Sequence, residues 1–283
     1  MFSHIRNGFV ALAALLAIGA GGETYTIHEN VHIGQKIPVV WESTTHEKHT
    51  VKVNGQQTES VDTQTTQHFK ATITVLAVKD GSATQMRVEV DPSSYDIVKD
   101  GDTPEKKTAS PLAGKTVTVT RQADESVSND FKGPDVPDDM DLVEQCLNPD
   151  QDYFPNHPVA VGDVWDASDL QAKHSGLGPN DALIAKCRLD SVKDVNGKKI
   201  GQITCNGAIV RRMEPGNEED IEQTMTLQVD MAASQIIGAD AKSTSKYVSQ
   251  PNQPIQRKGG SEMTDKVTSS ANPATQPAEP RTP

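Results

Sequence analysis

The chain has 283 residues, 39 acidic against 27 basic, a formal net charge of −12, and only 4 % aromatic residues. So polar a composition excludes a multispanning helical membrane protein, which needs repeated apolar runs of about 20 residues. The acidic balance and scarcity of rings argue against nucleic-acid binding, and the length accommodates one large or two modest domains.

Residues 1–22 read as a secretory signal peptide. Arg6 supplies the positive region, Gly8 to Ala20 is apolar and uncharged, and Ala20, Gly21 and Gly22 are small. Cleavage after Gly19, Ala20 or Gly22 fits this layout. The apolar part is too short for a comfortable span, and a retained N-terminal anchor is the other reading. No Cys lies near the cleavage region, which excludes a lipid anchor on an N-terminal Cys. Loss of Arg6 leaves a mature charge of −13, which favours solubility and disfavours anionic surfaces.

Residues 23–132 form a first β-rich repeat. Near its start, His28-Glu29-Asn30-Val31-His32 matches H-E-x-x-H, in which two His one helical turn apart bind zinc and the Glu acts as base. That pattern needs a helix. Thr24 to Ile27 before it, and Ile33-Gly34 and Pro38 after it, read as strand and turn, where His28 and His32 would lie about 13 Å apart. His46, His49 and His68 lie in a Thr- and Gln-rich stretch that Asn54-Gly55 folds into a hairpin. Solvated strand positions suit these histidines better than a surface metal site.

The stretch Phe69 to Val90 registers itself. Asp80-Gly81 suits a two-residue turn, because Gly accepts positive φ and Asp tolerates it. Pairing Lys79 with Ser82 then sets Val75 opposite Met86, Ile73 opposite Val88 and Ala71 opposite Val90, every pair apolar. Lys115 to Thr120 alternates as a strand. Residues 133–151 read as an acidic linker with a short helix, on which Met140, Val143 and Leu147 share a face. The run Asp135, Asp138, Asp139 and Asp141 lacks the spaced ligands and glycine of an EF-hand loop, and suits a solvated helix start.

A second β repeat spans residues 152–250. In Ala185 to Ile209, a two-residue turn at Asn196-Gly197 mixes apolar and polar faces. A three-residue loop pairing Asp194 with Lys198 sets Leu189 opposite Ile203 and is the preferred register. Cys187 then lies opposite Cys205, within disulfide reach. Export permits the bond, with two buried free thiols as the alternative, while Cys146 is the odd one out. Ile221 to Met231 alternates as a half-buried antiparallel strand. Within residues 251–283, Met263 and Val267 suggest a last edge strand. The Pro-rich end from Ser269 buries too little apolar area to offset its ordering entropy and reads as a disordered tail.

The halves also match each other. Val31-His32-Ile33-Gly34 with Trp41 mirrors Val159-Ala160-Val161-Gly162 with Trp165, and Val78-Lys79-Asp80-Gly81 mirrors Val192-Lys193-Asp194 followed by Gly197. The segment Phe154-Pro155-Asn156-His157-Pro158-Val159-Ala160-Val161-Gly162-Asp163-Val164-Trp165 resembles the hallmark of a family of exported bacterial β-rich proteins of unknown function. In that family a Phe-Pro segment leads into a Val-Gly-Asp-x-Trp turn at the start of the second half. The resemblance implies two β halves behind a signal peptide, with Gly162 turning the linker and Trp165 packed in the second core. It supplies no activity.

The expected protein is therefore all-β, mainly antiparallel, with two similar sheet or half-barrel repeats and one connecting helix. It is exported, periplasmic or extracellular, with no integral span after signal removal. The chain contains no Gly-x-Ser-x-Gly, Walker-type loop, dinucleotide fingerprint or CxxC. No catalytic, cofactor or metal residues are assigned, and a non-catalytic binding or structural role leads. Candidate partners are a lipid, a peptide or another envelope protein. A metal-dependent hydrolase using His28, Glu29 and His32 is the alternative.

Overall fold

A computed structural model describes residues 23–27, 31–123, 126–132, 140–147, 153–169, 181–213, 216–249 and 253–269. The signal region, His28 and Glu29, Asp135 to Asp139, and the tail beyond Ser269 lie outside these residues. The fold is all-β. In chain order the strands are β1 (Thr24–Tyr25), β2 (Lys36–Val53), β3 (Gln56–Lys79), β4 (Ser82–Val90), β5 (Tyr95–Asp100), β6 (Lys106–Ala109), β7 (Thr116–Arg121) and β8 (Val127–Asn129). Helix α1 (Met140–Gln145) separates these from β9 (Val159–Ala160), β10 (Val164–Asp166), β11 (Ala182–Val195), β12 (Lys198–Arg212), β13 (Asn217–Asp230), β14 (Gln235–Ser249) and β15 (Ile255–Ser269).

Thirteen strands form one antiparallel sheet in the order β10-β11-β12-β13-β14-β15-β2-β3-β4-β7-β8, with β5 and β6 continuing beside β3. The path is open, ending in three-residue strands at β10 and β8, with Lys106 and Lys107 on outer strand β6. Short and lysine-bearing edges discourage pairing with other chains.

The β3–β4 hairpin has the expected pairs, from Lys79–Ser82 to Ala71–Val90. Asp80 and Gly81 both take positive φ, 53° and 86°. Two offsets, on either side of Ala77, cancel and leave the register unchanged beyond them. The β11–β12 hairpin corrects the sequence reading at its tip. Val195 pairs with Lys198 around a two-residue Asn196-Gly197 turn, and a bulge between Leu189 and Ser191 restores Leu189–Ile203 and Cys187–Cys205. The bulge adds one residue to one strand, so both the favoured turn and the segregated faces are kept.

Strand β15 exists where Met263 and Val267 suggested one, but it is central, paired on one side to β14 and on the other to β2. Its Gly260 makes this close pairing possible: a Cβ there would lie 1.9 Å from the Ser245 carbonyl oxygen. At neighbouring Gly259, the rings of His49 and Tyr247 meet edge to face across the bare backbone, centroids 5.3 Å apart.

Two apolar cores lie on one face of this sheet. The first gathers Ile37, Phe69, Ile73, Val88 and Val119 under the α1 residues Met140 and Val143, with Leu147 just beyond the helix. Arg121 donates to the Leu147 carbonyl at 2.7 Å, tying the turn after α1 to β7. The second gathers Trp165, Leu189, Ile203, Leu227 and the Cys187–Cys205 disulfide, together with Ile27 from the far N-terminal segment. Between them one row of apolar side chains runs unbroken across seven strands: Leu189, Ile203, Leu227, Ala239, Val267, Trp41 and Phe69.

The matched turns share their hydrogen bonds. Gly34 N–H donates to Val75 O (2.8 Å) as Gly162 N–H does to Leu189 O (2.7 Å), and Val75 and Leu189 donate back to Gln35 and Asp163. His32 N–H is held by the Gln35 side chain as Ala160 N–H is by that of Asp163. Both glycines have positive φ, 83° and 97°. Aligned on these turns, Trp165 corresponds to Ile37 and not to Trp41: Trp165 pairs with Cys187 where Ile37 pairs with Ile73. Trp41 lies four residues further on, in the row that joins the cores.

Candidate functional site

The histidines singled out by sequence do not converge. His32 sits exposed in the turn before β2, and residues 31–35 carry no helix, so the described part of the H-E-x-x-H segment lacks the scaffold that zinc binding needs. His46 points to one face and bonds Asp62 at 2.9 Å. Lys48, followed by His46, holds the Asp62 carboxyl below the usual carboxylate range. His49 is buried on the opposite face, with Nδ1 2.9 Å from Glu47; that nitrogen lacks a well-angled hydrogen bond. His68 stacks on Tyr95, 5.0 Å between centroids, and approaches Glu42 at 3.4 Å. Alternation along β2 separates His46 from His49. Among the described residues no three His, Cys, Asp or Glu side chains are grouped to hold a metal.

What the strands do bring together is a groove of about 460 Å³ at the middle of the sheet, on the face opposite the cores. Register builds it from four neighbouring strands. One row reads Thr226, Asp240, Lys266 and Glu42 across β13, β14, β15 and β2; the next reads Thr224, Lys242, Thr264 and Thr44. Period two places all eight on one face. Three of the hydroxyl and carboxylate groups are already engaged: Thr44 with Thr66 (3.3 Å), Thr224 with Asn206 (3.1 Å), and Glu42 with His68. Asp240, Lys242 and Lys266 form no ion pair with any described residue, although Asp240 and Lys266 stand directly opposite. The groove therefore offers two ammonium groups, a carboxylate and free hydroxyls to solvent. It holds no nucleophile–base pair, and its side chains present charged and hydroxyl heads beside the methyl and methylene groups of Thr, Lys and Ala241.

The alternation of Ile221 to Met231 puts Thr224 and Thr226 on the polar face of their strand, but the sequence alone did not reach this site. Nothing local marks Gln235 to Ser249 as the partner of both β13 and β15, so Asp240, Lys242 and Lys266 had no neighbours in the sequence reading.

No family model and no curated protein matches the chain. Among solved structures it overlaps lipovitellin, from a study of lipid–protein interactions, with TM-score 0.45 and 7 % identity over 85 % of this chain. The chain spans 25 % of the lipovitellin chain. An outer membrane channel from Pseudomonas putida F1 overlaps with TM-score 0.26 and 10 % identity, covering 86 % of this chain and 98 % of that one. Salmonella typhi OmpF, in complex with daunomycin, gives 0.21 and 7 %, over 84 % and 98 %. None of these likenesses is close enough to bear on function. Among the described residues no helix is long and apolar enough to cross a membrane.

Proposed function

We infer that the protein is an exported, non-catalytic binding protein of the envelope or extracellular space, and that the central groove holds a hydrophilic ligand or partner segment. The observation that carries this reading is the uncommitted trio Asp240, Lys242 and Lys266. On an ordinary solvated sheet, cross-strand opposite charges are free to pair, and such pairs add stability. Here they stay apart, beside unspent Thr226 and Thr264 hydroxyls in a concave setting. Mixed charge and hydroxyls suit a polar, zwitterionic or polyhydroxylated ligand better than an acyl chain. The disulfide supports export to an oxidising compartment, and the resemblance of Phe154 to Trp165 to an exported bacterial family points the same way.

A thermal-shift screen of amino acids, short peptides and sugars tests the reading. One ligand class is expected to raise the melting temperature of the native chain and not that of the Lys242→Met/Lys266→Met variant. Both lysines are exposed, so the variant keeps its fold. A screen in which no class separates the two proteins contradicts the assignment.

A further inference from the structure

Five turns meet along one end of the sheet, and hydrogen bonds and pairing trace the contact from one to the next. Val31 N–H donates to Gly81 O at the β3–β4 tip, and Gln35 of the same turn reaches Gln235 at the start of β14. Just before it, Met231 N–H donates to Lys199 O beside the β11–β12 tip. Lys199 then bonds Glu23, and Tyr25 pairs with Val159 at the turn before β10.

This rim carries apolar side chains in water. Ile33 is 70 % exposed and Val161 51 %, at equivalent positions of the two matched turns, and Val195 at the β11–β12 tip is 48 % exposed. Ala232 and Ala233 on the β13–β14 turn are exposed as well. Repetition of an exposed β-branched residue at the equivalent position of both turns sets the rim apart from scattered surface apolar residues. Its charges cancel, although the chain as a whole carries −12. Lys198 pairs with Asp230 at 3.0 Å and Lys199 with Glu23, while Lys79 and Lys193 each adjoin an aspartate in sequence. The opposite end differs: its β5–β6 turn reads Asp100-Gly101-Asp102.

The apolar tips stand on separate turns, and the described groove lies on the sheet face and not among them. A rigid protein would need a matching pocket for each tip, whereas a bilayer surface deforms around all of them. We propose that this rim docks on phospholipid bilayers with zwitterionic headgroups, seating Ile33, Val161 and Val195 at the boundary between headgroups and acyl chains. Burial of each apolar tip favours insertion. The acidic remainder of the molecule is repelled by anionic lipid, which selects for neutral surfaces and turns the rim toward them. This surface is separate from the groove, and either assignment can fail alone.

Vesicle flotation of the exported, processed chain is the test. With phosphatidylcholine vesicles the native chain floats, and Ile33→Ser/Val161→Ser/Val195→Ser binds at least about tenfold more weakly. All three positions are exposed, and an unchanged thermal melt verifies that the variant is folded. Vesicles of phosphatidylglycerol bind the native chain less. Failure of the native chain to float with phosphatidylcholine, equal flotation of the variant, or preference for phosphatidylglycerol overturns the proposal.

Discussion

Replacing Cys187 and Cys205 together by Ala is expected to lower stability by about 3 kcal/mol, the closure entropy of a loop of this length. The two residues lie 18 apart in sequence on β11 and β12, with Cα atoms 4.0 Å apart, and both are buried in the second core. Trp165 pairs with Cys187, and Met225 lies across from Cys205, so loss of the sulfurs also loosens packing around them. The measurement is a denaturant melt of the double variant and of the reduced native protein. Both should shift to lower denaturant, the double variant further because it also loses the packing of the buried sulfurs. A midpoint unchanged on reduction means that the bond contributes nothing to the folded state.

A proline in β15 is expected to be at least as damaging. Thr264→Pro removes a ladder N–H from a strand paired on both sides, where sheets exclude proline, and leaving the facing carbonyl unsatisfied alone costs about 1–3 kcal/mol before the strain of the ring is added. The site is otherwise tolerant, because the Thr264 side chain is exposed between Lys242 and Thr44. Position in the sheet therefore sets the effect. Separating β15 from its partners exposes the edges of β14 and β2, 15 and 18 residues long, and such edges promote association between chains. Size-exclusion chromatography with a denaturant melt should show Thr264→Pro destabilised and associated, with Thr264→Val close to native. Near-native behaviour of the proline variant contradicts the central placement of β15.

Legibility in the sequence followed the range of the interactions. The β3–β4 hairpin could be registered to the residue because its turn and its apolar pairs agree within 22 positions. In β11–β12 the faces and the cysteine pairing were legible, but the tip was not: the bulge before Ser191 lets two favoured features coexist that an unbroken ladder would set against each other. The chain's amphipathic segments found their cores, as with Met140, Val143 and Leu147. Strand β15 was recognised as a strand and misplaced at an edge, because it carries Ser and Asp on one face and Thr and Lys on the other, and pairs with a strand more than two hundred residues earlier. No local pattern encodes such pairing. For the same reason the groove, which needs β13, β14, β15 and β2 side by side, was beyond reach. The corresponding tryptophans were a coincidence of composition: the hydrogen bonds of Gly34 and Gly162 align Trp165 with Ile37, leaving Trp41 to bridge the cores.

Both the groove and the row of apolar side chains linking the cores exist only if the two halves share one sheet through β15. Hydrogen–deuterium exchange of the native chain, followed by mass spectrometry, measures this directly. Peptides covering residues 256–268 are expected to exchange as slowly as those covering residues 203–209 of β12, because each lies in a strand paired on both sides. Exchange of residues 256–268 as fast as that of the short outer strand β6 would contradict a single continuous sheet.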